Sequence, residues 1–315
     1  MKKKSAYIIT KPLQYINATN IPDKFFKDCF LVDSFSNSAS LFKKIQKYSN
    51  HWDNIYIRKN RYLAITSILI NKRKYKNLYT DTDFGIFNRL LLLSLYPINI
   101  FVYEEGIGSY KKEIREKNSI FQKALISLDS LLGKNYFAGF KRSKGIYLYQ
   151  PYVYKEIVCP NTDKQVLKFD KDFFKHISNF REIPKIFPFP ENLSQIIVGK
   201  KVIVYLTSWE IDYKFLEIFS NYPDFIKILK PHPHLKKPTG IEKHFDFLVK
   251  NSIPAEIFLT RIVKLSCSTI LIHQGSSFVI YLDGIEKLRV YNLADEKFEN
   301  IFDSYFEVFN NSLNK

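Results

Sequence analysis

The chain has 315 residues, 46% of them hydrophobic and 16% aromatic, with a formal net charge of +17. That length allows one large domain or two modest ones, and the apolar content excludes a disordered chain. Three widely spaced cysteines, Cys29, Cys159 and Cys267, exclude a disulfide framework or cysteine metal site and fit a reducing compartment.

The opening, MKKKSAYIITKPLQYIN, starts basic, but its apolar run, Ala6 to Ile9, ends at Lys11-Pro12 and is too short for a signal-peptide core. No apolar run approaches the ~20 residues of a membrane-spanning helix. The expectation is a cytoplasmic protein, at most peripheral at the inner membrane.

Short β-like runs follow at 6–10, 29–33, 54–58, 77–80, 99–103 and 145–149, with helical patterns at 38–49, 61–74, 84–96 and 119–132. Such alternation predicts a parallel sheet with helices on both faces. Prolines and polar residues gather at 159–169 and 181–193. Strand-like runs then resume at 201–207, 225–231, 255–260, 269–275 and 287–293, with a helical pattern at 213–222. The predicted layout is α/β, with domains at 1–155 and 196–315, a linker at 156–195, and the cleft between the domains as the default site.

Charge is uneven along this layout. Through Lys155 there are 27 Lys/Arg against 11 Asp/Glu, which leaves almost no excess for the remainder. Runs at 2–4, 58–61, 72–76 and 141–144 carry much of it. A half this basic points to an anionic partner, either membrane headgroups or a charged glycan. Nucleic acid is set aside, because the runs alternate with buried-looking strands and no nucleic-acid-binding signature appears. The aromatics Tyr136, Phe137 and Phe140 fit a homodimer face, a membrane contact or the core equally well.

In open parallel sheets ligands bind beyond the carboxyl ends of strands, so the strand tips are the candidate site. His232 stands between Pro231 and Pro233, which restrict the backbone on both sides and limit where the imidazole points. With Lys230 on the same tip it suits a proton donor or phosphate ligand. Gly275-Ser276-Ser277 combines backbone N–H groups with two hydroxyls before an apolar stretch, which fits an anion site, a helix cap or both. Glu104-Glu105-Gly106 places two carboxylates on opposite faces of a strand end. One is a candidate general base, and an acidic loop cap is the other reading. Glu210 and Asp212, after the run at 201–207, are a reserve pair that could equally charge a helix start. Asp81-Thr82-Asp83 matches a metal-binding DxD, but Asp83 is placed to cap a helix. Neither a GxGxxG nor a phosphate loop is present, so no cofactor or metal is expected.

In their order, Glu104-Glu105-Gly106, His232-Pro233 and Ser276-Ser277 resemble the motifs of bacterial sialyltransferases. The opening YIITKPLQYINATN is similar to the start of glycosyltransferase family 52, where a Lys-Pro-x-Gln element ends the first strand; here it is Lys11 to Gln14. The resemblance runs from near residue 8 to near residue 283. It implies a GT-B fold of two Rossmann-like domains facing across a cleft, metal-independent chemistry and a CMP-sialic acid donor held by the C-terminal half. It implies that His232 assists departure of the CMP phosphate, that Ser276 and Ser277 hold it, that Lys230 contacts the nucleotide and that Glu256 accepts from the ribose hydroxyls. The base would be a carboxylate of Glu104-Glu105, with Glu104 favoured, or else Glu210 or Asp212. Lys11, Gln14 and Gly106 fall on the acceptor side, and the acceptor would be a sugar, such as galactose, of a lipooligosaccharide or capsular glycan. The pattern departs from the family in that both acidic residues are Glu, whose longer arm shifts the reach of a base. The alternatives are a related transferase using another nonulosonic acid or Kdo, and a CDP-polyol phosphotransferase.

Overall fold

A computed structural model describes residues 2–35, 37–114, 120–208, 211–232, 240–249, 253–281, 287–293 and 296–313. In chain order it shows β1 (Lys4–Ile9), α1 (Pro12–Thr19), β2 (Phe26–Val32), α2 (Ser38–Tyr48), β3 (Asn54–Arg58), α3 (Arg61–Ile70), β4 (Tyr75–Thr80), α4 (Ile86–Ser94), β5 (Asn99–Tyr103), α5 (Ile120–Leu132), β6 (Ser143–Leu148), α6 (Pro151–Ile157) and β7 (Gln165–Lys168). Then come α7 (Phe173–Asn179), α8 (Ile183–Ile186), α9 (Glu191–Ile197), β8 (Lys201–Leu206), α10 (Phe215–Ser220), β9 (Ile226–Lys230), β10 (Phe247–Leu248), α11 (Ala255–Leu265), β11 (Ser268–His273), β12 (Leu288–Asn292) and α12 (Glu296–Leu313).

The strands form two sheets, in the orders β3-β2-β1-β4-β5-β6-β7 and β10-β9-β8-β11-β12, and every strand pairing within them is parallel. Parallel sheets are covered on both faces, so central strands read as unbroken apolar runs. β1 is such a strand, with Ala6, Tyr7, Ile8 and Ile9 all buried. Ala6 and Ile8 pack with Phe30, Ala64, Ile68, Leu92 and Ile100 on one face, while Tyr7 stacks on Tyr79 on the other. In the second sheet Ile203, Tyr205, Leu229, Ile270 and Ile272 form a core with Phe215 and Phe219 of α10. The predicted α/β architecture of two Rossmann-like units is the observed one.

The chain divides into one compact unit of Met1–Ser34, Ser38–His176 and Asp303–Lys315, and a second of Phe35–Asn37 and Ile177–Phe302. The first unit therefore runs past the expected boundary at 155. Gln165–Lys168, expected in a linker, pairs with β6 and extends the first sheet. The run at 255–260, expected as a strand, is the first half of α11. Its six residues, four of them apolar, fit either element; Pro254, whose ring restricts φ, sits at the N-cap and starts a helix instead.

One smaller expectation changes and one open reading narrows. Asp83 does not cap α4, whose N-cap is Gly85. Its buried carboxylate accepts from the N–H groups of Ala138 (3.1 Å) and Phe140 (3.0 Å) and the Ser143 hydroxyl (2.7 Å). Phe137 and Phe140 are buried in the first unit, so they belong to its core. Among the described residues no helix is long and apolar enough to cross a membrane.

Candidate active site

In each sheet the chain lays strands to one side of its first strand, then crosses to the other. That reversal leaves a crevice at the carboxyl ends. It lies between β8 and β11 in the second sheet and between β1 and β4 in the first.

β9 and β11 both pair with β8, so their tips flank the β8 tip, roughly 10 Å apart at two strand spacings. The β9 tip carries Lys230, Pro231 and His232; Pro233 and Glu210 lie outside the described residues. The His232 N–H donates to Thr207 Oγ at 2.8 Å, which ties the β9 tip to the end of β8. The His232 side chain is half-buried. Lys230 is 3% exposed, and its ammonium donates to the Pro231 carbonyl at 3.2 Å. Burial pulls its pKa down to about 8, against a pull upward from the Glu256 carboxylate. Glu256 reaches that position from the first turn of α11. Lys230 and Glu256, 26 positions apart, thus share one electrostatic environment.

The β11 tip carries Gly275, Ser276 and Ser277. Gly275 has φ +73°, a conformation that glycine adopts without strain. Ser276 opens a 3-10 turn over Ser277–Tyr281, and its hydroxyl accepts from the Phe278 N–H at 3.4 Å. That long contact leaves the Ser276 hydroxyl able to serve a ligand as well. Its backbone N–H donates to Nδ1 of buried His273 at 3.1 Å, and burial lowers that imidazole to about 4. His273 is thus neutral at pH 7, with Nδ1 as acceptor. Gln274 braces the site, its Oε1 accepting from the Ser208 N–H (3.2 Å) and the Tyr205 hydroxyl (2.9 Å). The reserve carboxylate Asp212 accepts from the Lys214 N–H at 2.8 Å, as a turn cap.

In the first sheet Pro12 occupies the first turn of α1, directly after the extended Lys11, a position where its missing N–H costs nothing. The Lys11 ammonium contacts the Glu105 carboxylate. Gln14 is fully buried; its Oε1 accepts from the Thr10 N–H (2.9 Å). Asp81, at the end of β4, accepts from Thr10 Oγ at 2.5 Å and from Arg61 Nη2 at 2.8 Å. Burial opposes the Asp81 charge, but Arg61, the Thr10 hydroxyl and Lys11 together outweigh it and the carboxyl lies below its usual range.

The paired carboxylates separate as their alternation predicts. Glu104 is fully buried, and its Oε2 accepts from the Tyr110 hydroxyl (2.7 Å) and the Tyr149 N–H (2.9 Å). It anchors the β5 tip to the β6 tip. The Glu105 side chain is 24% exposed, which leaves it as the reachable member of the pair. Exposure thus favours Glu105 over Glu104 as the candidate base. Gly106, φ +99°, turns the chain between them and the 3-10 segment Ile107–Tyr110.

Thr207, Gln274, Thr10 and Arg61 were not anticipated as site neighbours. Position at a strand tip was the one signal for Thr207, Gln274 and Thr10; Arg61 stood out only as part of a basic run. Among the described residues no group of three His, Cys, Asp or Glu could hold a metal ion.

No protein-family model matches the sequence, and no curated protein matches it. The structure is similar to that of an alpha/beta-galactoside alpha-2,3-sialyltransferase from the luminous marine bacterium Photobacterium phosphoreum, with 15% identity over 98% of this chain and 95% of that one, TM-score 0.59. It is also similar to a UDP-N-acetylglucosamine 2-epimerase from Rickettsia bellii, with 15% identity over 94% and 80% of the two chains, TM-score 0.54. A wall teichoic acid polymerase aligns at 12% identity over 96% and 84%, TM-score 0.49. At such identities the likeness is one of fold, and that fold is GT-B.

Proposed function

We propose that the protein is a metal-independent inverting sialyltransferase that moves sialic acid from CMP-sialic acid to a terminal sugar, such as galactose, of a bacterial surface glycan. The observation that carries this reading is the pair of tips flanking β8, one with a cation and a restrained histidine, the other with two serines and a turn of backbone N–H groups. Together they suit one phosphate. Lys230 and the hydroxyls of Ser276 and Ser277 bind it, and His232 donates a proton or hydrogen bond as the C–O bond to the phosphate breaks. Stabilising that departing anion supplies a large share of catalysis. Glu256, on the same side as Lys230, accepts from the ribose hydroxyls.

In the first unit Glu105 takes the acceptor hydroxyl proton while the hydroxyl oxygen attacks the anomeric carbon. Lys11 holds the Glu105 carboxylate in place, and Gln14 and Gly106 shape the acceptor side. No cofactor is needed. A glycan carried on lipid accounts for the basic first half through peripheral attachment at the inner membrane.

The test is transfer from CMP-sialic acid to a panel of galactose-terminated acceptors, with chelator present. Transfer that survives chelator and collapses in His232→Ala supports the reading. With folded protein, absence of both transfer and CMP release moves the donor to another nonulosonic acid, Kdo or a CDP-polyol. Stabilisation by UDP or GDP in preference to CMP overturns the cytidine donor itself.

A further inference from the structure

The basic runs of the first unit are not where an acceptor site would use them. Lys2–Lys4 lead into β1, Lys72–Lys76 into β4 and Lys141–Lys144 into β6. All three runs sit at the N-terminal edge of a parallel sheet, opposite the edge that carries Lys11, Asp81 and Glu105. Of the four runs, 58–61 alone follows its strand. A cavity of ≈ 440 Å³ has Lys2, Lys4, Arg58 and Lys74 in its wall, and Asp28 as its single carboxylate. That carboxylate is already taken by Lys4 (2.8 Å), Asn54 (2.8 Å) and Tyr75 (2.9 Å).

Beside this edge, three helices expose apolar side chains on their solvent-facing sides. α3 exposes Tyr62, Leu63 and Ile70, the last at 78%. α4 exposes Phe87 (68%), Leu90 and Leu93, and Tyr96 just beyond it is 69% exposed. α5 exposes Leu128 and Leu131. α4 packs against both α3 and α5, so these side chains share one face. The one charged residue of α4, Arg89, is turned inward and donates to the carbonyls of Asp129 (2.8 Å), Gly133 (2.9 Å) and Lys134 (2.6 Å). Apolar face and basic edge adjoin. Ile70 precedes Lys72 by two residues, and the Arg142 guanidinium lies 4.9 Å from the Tyr96 ring centroid while donating to the Leu93 carbonyl at 3.2 Å.

A contiguous exposed apolar surface marks an interaction site, and the charge beside it selects the partner. A second copy docked on the same face would bring two basic edges together. An anionic lipid surface takes apolar and aromatic side chains at headgroup depth and cations against its phosphates. We propose that the α3–α5 face and the adjoining basic edge seat the first unit on an anionic phospholipid membrane, with a headgroup phosphate in the lysine-lined cavity. The proposal rests on the peripheral attachment suggested above and names the surface that makes it.

The test is co-sedimentation of the full chain with vesicles of phosphatidylglycerol and phosphatidylethanolamine, against vesicles of phosphatidylcholine alone. Binding is expected on the anionic vesicles, at least tenfold weaker on neutral ones and in high salt. The triple variant Lys72→Glu, Lys74→Glu, Lys141→Glu and, separately, Phe87→Ser with Leu131→Ser each reduce binding at least tenfold, with thermal melting unchanged. No binding to anionic vesicles, or binding that both variants retain, overturns the proposal. So does an apolar variant that loses self-association in ultracentrifugation while vesicle binding is absent. Thermal stabilisation by CMP, read on the same samples, separates failure of this surface from failure of the donor reading.

Discussion

In the first unit the crevice between β1 and β4 is filled by charge pairs, Lys11 with Glu105 and Arg61 with Asp81. In the second, the corresponding crevice between β8 and β11 is lined by hydroxyls, an amide, backbone N–H groups and a lysine stripped of water. The topology is the same and the electrostatics differ. A positioned, partly exposed carboxylate suits accepting a proton. Hydrogen-bond donors beside a lysine suit holding an anion. The fold supplies the crevice in both cases, and the residues placed on a few strand tips decide what it does.

The sharpest way to break this comparison is His232→Ala. Loss of a positioned acid lowers transfer by about 100- to 10,000-fold, and CMP should still raise the melting temperature because Lys230 and the serines remain. Equal loss of rate and CMP stabilisation would make His232 a ligand rather than an acid. Next come the two adjacent glutamates. Glu105→Gln should cut the transfer rate at least ~100-fold with an unchanged urea midpoint. Glu104→Gln should instead cost about 1–3 kcal/mol of stability in urea denaturation, because a buried charge-assisted hydrogen-bond set is broken. If the two outcomes are exchanged, the base is Glu104. Ser276→Ala should raise the donor KM about tenfold, the cost of one hydrogen bond to a charged group, and change kcat less.

The smallest effect concerns pH. His273 titrates near 4 in the folded chain and at ~6.5 when unfolded. The unfolded state therefore binds the proton more tightly. The contribution is complete above ~6.5 and is lost as pH falls towards 4, at most about 3 kcal/mol. His273→Asn, which can keep an acceptor for the Ser276 N–H, should flatten this part of a stability profile measured by denaturant titration between pH 7 and 4.5. An unchanged slope would assign the acid sensitivity to His51 and His176, which burial likewise lowers, to about 3 and about 4.

Local pattern carried much of this architecture into view. The apolar runs at β1, β8 and β11 are long enough to be read as buried strands, and their tips are then named by position alone. The pair Glu104-Glu105 was legible as one inward and one outward carboxylate, but which was which depends on Tyr110 and on Tyr149, 45 residues beyond Glu104. Asp81 and Arg61 were not legible as a pair because they meet across two elements. Residues 255–260 misled because six apolar-rich residues carry no decisive period. Gln165–Lys168 was hidden for a different reason: a short edge strand, Gln-Val-Leu-Lys, exposes both ends and half-buries its middle, so it lacks the apolar run of a central strand.

Helix α12 bears on the order in which the protein is made. Residues from Asp303 onward belong to the first unit, and Tyr305 packs edge-on against Tyr110, ring centroids 4.9 Å apart. Tyr110 is the residue whose hydroxyl holds Glu104. A ribosome delivering the chain from its amino end therefore releases Glu104 and Tyr110 long before Tyr305. The nascent first unit must wait, with one wall open, while some 190 intervening residues emerge and the second sheet assembles.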